Sequence, residues 1–225
     1  MASFSTHFSF GIALGVIAAM LAASLSLVGE PGFIVTLFVT AALGAILPDM
    51  DSDSSVPFHV SFGSLAFVAS ALAFSDAWRK SPDDIQTIIV STVGTAFIVW
   101  VVIGYIFKRF TKHRGMAHSI PATLLSGLTT FFIATHFGFS DTESFLLGLS
   151  MMLGYLGHLV LDEIWAAVNF QGKLFIPNKA LGSALKLYSG DTFANLIVFG
   201  ALLFLLAGNV GLFYGLAEKF LESLR

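Results

Sequence analysis

An all-α, polytopic membrane bundle of about seven helices is the fold this sequence predicts, and three observations predict it. Apolar residues make up 56% of the chain and charged residues only 11%, where a soluble domain carries about 25% charged residues. The mean hydropathy is +0.86. The apolar residues also gather into seven runs, most close to the ~20 residues a helix needs to cross a bilayer. Residues 1–225 are therefore read as a single integral membrane domain. The 24 phenylalanines suit lipid-facing and interhelical packing. No basic face or stripe exists, so nucleic acid is not an expected partner. The absence of cysteine rules out disulfides and thiolate metal sites; any metal must be held by histidines and carboxylates.

The first run, Phe8 to Val28, follows His7 and has spanning length. Ala22-Ala23-Ser24 could pass for a signal-peptide cleavage site. The first basic residue of the chain is Arg79, however, so the positive start of such a peptide is missing, and the run is read as a retained helix. Gly29-Glu30-Pro31-Gly32 is a turn. The second run, Phe33 to Leu47, is stopped by Pro48-Asp49, and a polar stretch from Asp49 to Ser55 follows. The third run is Phe58 to Phe74, and Ser75 to Asp84 is a polar loop holding Trp78, Arg79 and Lys80. The fourth, Ile85 to Phe107, leads into a basic segment, Lys108 to Arg114. The fifth is about Ser119 to Phe137, and the sixth, after a turn at Gly138 to Glu143, is Ser144 to Trp165. An interfacial loop covers Ala166 to Gly190, and the last run is Thr192 to Tyr214.

Seven spans place the N-terminus and the loops after helices two, four and six on one side. That side holds Lys108, Arg109, Lys112, Arg114, Lys173, Lys179 and Lys186; the other holds Arg79, Lys80, Lys219 and Arg225. Basic residues favour the cytoplasm, so the first side is assigned to it.

The same topology brings His7, Asp49, Asp51, Asp53, His59, His113 and His118 to that face. In the sixth helix, His158 and Asp162 are four residues apart and share a helix face near the same end. Ionisable groups inside membrane helices are costly and are functional candidates by default. Gly154 and Gly157 would let a neighbouring helix come close. Each piece also has a plainer explanation. His7 could be a lone interfacial histidine. Asp49, Asp51 and Asp53 could cap a turn; an EF-hand is rejected because Ser54 and Val60 stand where glycine and glutamate belong. His113 and His118 could bind headgroups, and His158 with Asp162 could be a buried polar pair. Glu163 is about 100° round the helix from Asp162 and is the weaker carboxylate. His136 falls on the opposite side. The combination outweighs its parts: His7, Asp49, Asp51, His113, His118, His158 and Asp162 are enough ligands for one or two metals, and a pair of metals suits phosphoester hydrolysis.

Pro48-Asp49-Met50-Asp51, His113-Arg114-Gly115-x-x-His118-Ser119 and His158-x-x-x-Asp162, with His7 ahead of a glycine-bearing helix, resemble the YdjM-like, LexA-regulated membrane-bound metal-dependent hydrolases. The resemblance runs from about His7 to Pro177. It implies a bacterial inner-membrane protein with a metal site built on His7, Asp49, His113, His118, His158 and Asp162, with Asp51 fitting the same pattern. The family is also distantly similar to zinc-dependent phospholipase C and the P1-type nucleases, which implies a phosphoester substrate.

The expectation is thus a membrane hydrolase with one or two divalent ions, zinc or else manganese, on the cytoplasmic face. A membrane lipid would be both its environment and its substrate, and water activated by the metal would be the nucleophile. Asp49 or Asp162 would be the bridging ligand. Asp51 would serve as ligand or general base, and Arg114 would hold a phosphate oxygen. A metal or proton transporter is the first alternative, opposed by the lack of a repeat and by ligands gathered at one face rather than the midplane. A non-catalytic metal- or lipid-binding protein is the second. A peptidase is the weakest, because His-Glu-x-x-His is absent.

Overall fold

Ser3 sets where the first helix begins. Its hydroxyl accepts the Thr6 N–H at 3.3 Å, and its carbonyl accepts the N–H groups of Thr6 and His7. Helix α1 therefore spans Phe4–Ser24 and starts four residues before the apolar run. His7 lies inside the first turn rather than ahead of the helix. The computed structural model describes residues 3–24, 30–51, 55–106, 115–168, 176–177, 179–209, 211 and 215; among them are seven α-helices and no strand beyond one isolated bridge.

Helix α2 (Pro31–Ile46) opens on Pro31, whose fixed φ and missing N–H suit a first turn. It ends just before Leu47-Pro48, and the chain tightens into a 3-10 turn over Leu47–Asp51. Helix α3 (Ser55–Lys80) is longer than the apolar run. The expected loop from Ser75 is helical as far as Lys80, because Asp76 and Lys80 pair across one turn at 2.8 Å and Trp78 stacks on Phe74. Arg79 and Lys80 also complement the negative end of the helix dipole. Asp84 caps α4 (Ile85–Phe97) by accepting from the Thr87 N–H and hydroxyl. A π-helical turn, Ile98–Ile103, continues α4 to residue 106.

Helix α5 (Ile120–His136), helix α6 (Asp141–Val168) and helix α7 (Thr192–Ala207) complete the described fold. Helix α6 extends three residues past both expected ends. Five segments are long and apolar enough to cross a membrane: Phe4–Ser24, Pro31–Asp49, Phe58–Lys80, Ile85–Ile106 and Asp141–Val168. Helices α5 and α7 are equally apolar but shorter, at 17 and 16 residues.

Helix α6 is the centre, packed against α1, α2 and α5, while α3 pairs with α4 and α7 lies on α5. Small residues let the backbones meet. A Cβ on Gly154 would strike the Ala41 carbonyl of α2, and one on Gly44 would strike the Met151 carbonyl of α6. Gly157 meets Leu14 and Phe10 of α1. Such close approach drives helix association in lipid, where burying apolar surface gains little. The opposite side of α6 exposes Phe145, Leu149, Leu153, Leu156, Val160 and Ile164, an apolar stripe at helical spacing that suits a lipid-facing surface.

Candidate metal centre

Four separate segments deliver side chains to one end of the bundle. The Ser3 cap puts His7 on the inner side of the first turn of α1. The break at Pro48 turns Asp49 inward at the end of α2. On α6, His158 and Asp162 lie one above the other. His118 comes from the turn that opens α5. Its N–H is held by the Gly115 carbonyl at 3.2 Å, and Ser119 both caps α5 through the Ala122 N–H and donates to the Met116 carbonyl. The Tyr155 hydroxyl, from α6, donates to the carbonyl of Ala117 next to His118.

These five side chains are buried, with exposures from 0% for His118 and His158 to 7% for Asp49. His7 Nε2 lies 3.2 Å from Asp162 Oδ1, and His158 Nε2 lies 3.6 Å from Asp49 Oδ1. His118 Nε2 stands between the carboxylates, 3.9 Å from Asp49 Oδ1 and 4.0 Å from Asp162 Oδ2. The His7 and His158 rings stack at 3.7 Å, and His118 meets His158 edge-on at 5.6 Å.

The tautomer of His158 gives the cluster its meaning. Its Nδ1 is 2.7 Å from the Ala45 carbonyl, which can only accept, so Nδ1 carries the proton. Nε2 of the neutral ring then presents a lone pair to the Asp49 carboxylate, acceptor facing acceptor. A cation between them resolves that conflict. Protonating the ring instead would give a charge-assisted contact, which closes to about 2.7–2.9 Å, well inside the 3.6 Å found. It would also set positive charge against the stacked His7 ring. Ligand atoms bound at about 2.0–2.2 Å in a tetrahedral site stand ~3.3–3.6 Å apart, which matches the closer separations here. His7, His158 and Asp162 form one group able to hold a metal ion, and Asp49, His118 and His158 form a second that shares His158. The His158 orientation is the one metal sites use, with its second ring nitrogen tied to an acceptor.

Five of the seven predicted ligands thus come together. His113, Arg114 and Asp53, with the side chain of Asp51, lie outside the described residues. His59 is exposed beside Phe58, and His136 is exposed at the far end of α5. Of the loop lysines, Lys173 lies outside the described residues, Lys179 is exposed, and Lys186 accepts the Ile120 N–H through its carbonyl. Glu163 is no part of the cluster: its carboxylate accepts from the backbone N–H groups of Gly182, Ala184 and Leu185. Sequence reasoning missed Tyr155, although its spacing of three from His158 puts it on the same helix face.

No curated protein and no solved structure matches this chain. The distant likeness to phospholipase C therefore has no match behind it. A family model described as YdjM inner membrane protein matches residues 1–218, and with nearly the whole length covered, the chain belongs to the YdjM inner membrane protein family.

Proposed function

We propose that this protein is a membrane-bound, metal-dependent hydrolase that cleaves a phosphoester, with a membrane lipid as substrate. The observation that carries the reading is the neutral His158 lone pair set against a buried carboxylate, among two more imidazoles and a second carboxylate. His7, Asp49, His118, His158 and Asp162 would hold one or two divalent ions, zinc or manganese. Two carboxylates offset the charge of one such ion, and the imidazole nitrogens suit zinc. A bound divalent ion supplies Lewis acidity and a water acidic enough to act as nucleophile near neutral pH.

The remaining chemistry falls to the chain itself. Burial excludes bulk solvent and strengthens each electrostatic contact. Asp51, two residues past Asp49, would serve as a further ligand or as general base, and His113 as a further ligand. Arg114 would clamp a phosphate oxygen with two N–H groups. A cluster at the end of apolar helices lies where a lipid headgroup would, and the basic residues assigned to this end support a cytoplasmic site.

The first test is elemental analysis of the detergent-purified chain. Wild type is expected to carry one or two zinc or manganese ions, and His118→Ala and Asp162→Ala to carry almost none. Phospholipids and soluble phosphoesters then form the first substrate screen. Metal present in the wild type with no turnover, together with metal uptake into liposomes, would replace hydrolysis by transport. No metal after reloading would sink the proposal.

A further inference from the structure

One segment outside the ligand set touches nearly every element that supplies a ligand. Residues Gly182 to Lys186 form a strap across the same end of the bundle. It is fastened on one side to Glu163, the neighbour of Asp162. One carboxylate oxygen accepts the Gly182 N–H at 2.7 Å, and the other accepts the N–H groups of Ala184 at 2.7 Å and Leu185 at 3.4 Å. It is fastened on the other side to the start of α5. Lys186 pairs in parallel with Ser119, the neighbour of His118, and its carbonyl accepts the Ile120 N–H at 3.0 Å. Between these ties Ala184 is buried against Ala122 of α5 and Tyr155 and Leu159 of α6, with Leu47, two residues before Asp49, packed on the same cluster.

We infer that Glu163 is a positioning residue for the metal centre: through the strap it fixes the His118 turn against His158 and Asp162 on α6. The argument is mechanical. His118 belongs to a turn, not to a helix, and beside its own contacts with His158 and Asp162 that turn is tied to α6 through Tyr155 and this strap. The strap reaches α6 through Glu163, whose two oxygens take up three backbone donors. With Glu163 removed, those donors lose their acceptor, and the strap keeps its packing on α6 through Ala184 but loses these hydrogen bonds to it. His118 is then free to drift from its place 4.0 Å from Asp162, while all five ligand side chains stay in the chain.

This inference rests on the metal-centre reading, and its test uses metal alone, without substrate. Cobalt(II) would be titrated into the metal-stripped full-length protein in detergent, recording affinity and the d–d absorption that reports ligand geometry. Glu163→Ala is expected to weaken cobalt binding about 10–100-fold, the usual loss when a group orienting a ligand is removed, and to change the band shape. Glu163→Gln, which keeps one acceptor oxygen, should fall between Glu163→Ala and wild type, and it carries the test should Glu163→Ala fail to fold. Ser150→Ala is the control for a merely structural loss. It deletes a hydrogen bond from α6 to the Leu37 carbonyl and should lower the melting temperature with cobalt affinity and spectrum unchanged. Wild-type affinity and spectrum in the Glu163 variants would overturn the inference while leaving the metal centre standing. Absence of cobalt binding by the wild type would overturn both.

Discussion

Tyr155 shows how a single hydroxyl supports the site. It lies one turn before His158 and is 5% exposed, and its hydrogen bond to the Ala117 carbonyl links α6 to the backbone of the His118 turn. Tyr155→Phe keeps the ring in the cluster with Leu159 and Ala184 but strips that partly buried carbonyl of its donor. The expected cost is about 1 kcal/mol, read as a lower melting temperature, together with weaker metal binding. Unchanged metal affinity would mean that the turn holds itself through Ser119. The histidines and aspartates were legible in the sequence because ionisable residues are scarce in so apolar a chain. Their partners were not. The acceptor that fixes the tautomer of His158 is the backbone carbonyl of Ala45, more than a hundred residues away, and a backbone atom leaves no mark in composition. Glu163 was visible as a carboxylate, but its role depends on where a distant loop folds back.

Among the elements, the crossing of α2 and α6 decides whether the site forms at all. Gly154 and Gly44 press each backbone against a carbonyl of the other helix. Gly154→Leu has no side-chain end to push aside, only the backbone at Ala41, so α2 must retreat. It would carry with it the Ala45 carbonyl and, beyond that, Asp49. The destabilisation should exceed the usual 1–3 kcal/mol of overpacking and appear as aggregation or loss of the folded fraction on size-exclusion chromatography. Ser150→Ala on the same helix should cost only about 0.6 kcal/mol. A Gly154→Leu protein that is monodisperse and binds metal normally would show that this contact is not required. Gly154 was readable as a point of close approach, but Gly44 and the partner helix were not. Helix ends were readable where a proline stops an apolar run, as at Pro48, or where a polar loop gives way to one, as at Ile85. They were misjudged at Ser75–Lys80, where an i,i+4 ion pair and an aromatic stack extend α3 beyond its apolar run.

For the whole molecule, alternation of helices is what gathers the ligands. Helices α1 and α5 begin where α2 and α6 end, so His7, Asp49, His118, His158 and Asp162 can meet only if successive helices run in opposite directions. That much of the topology could be derived from seven apolar runs. Which end faces the cytoplasm rests on seven basic residues against four. The lack of cysteine makes the chain suited to a direct test with single introduced thiols. Ser3→Cys and Lys179→Cys lie at exposed positions on the metal end, and Asp83→Cys and Thr142→Cys at exposed positions on the opposite end. In intact spheroplasts, a membrane-impermeant maleimide should label Asp83→Cys and Thr142→Cys, and should reach the other two only after lysis. The reverse pattern would keep the bundle but move the site to the outer face, away from cytoplasmic headgroups and substrates. Labelling of Asp83→Cys and Thr142→Cys from different sides would break the alternation itself. Either α3–α4 or α5 would then fail to cross, and the shared end that brings α5 to α6 would need another explanation.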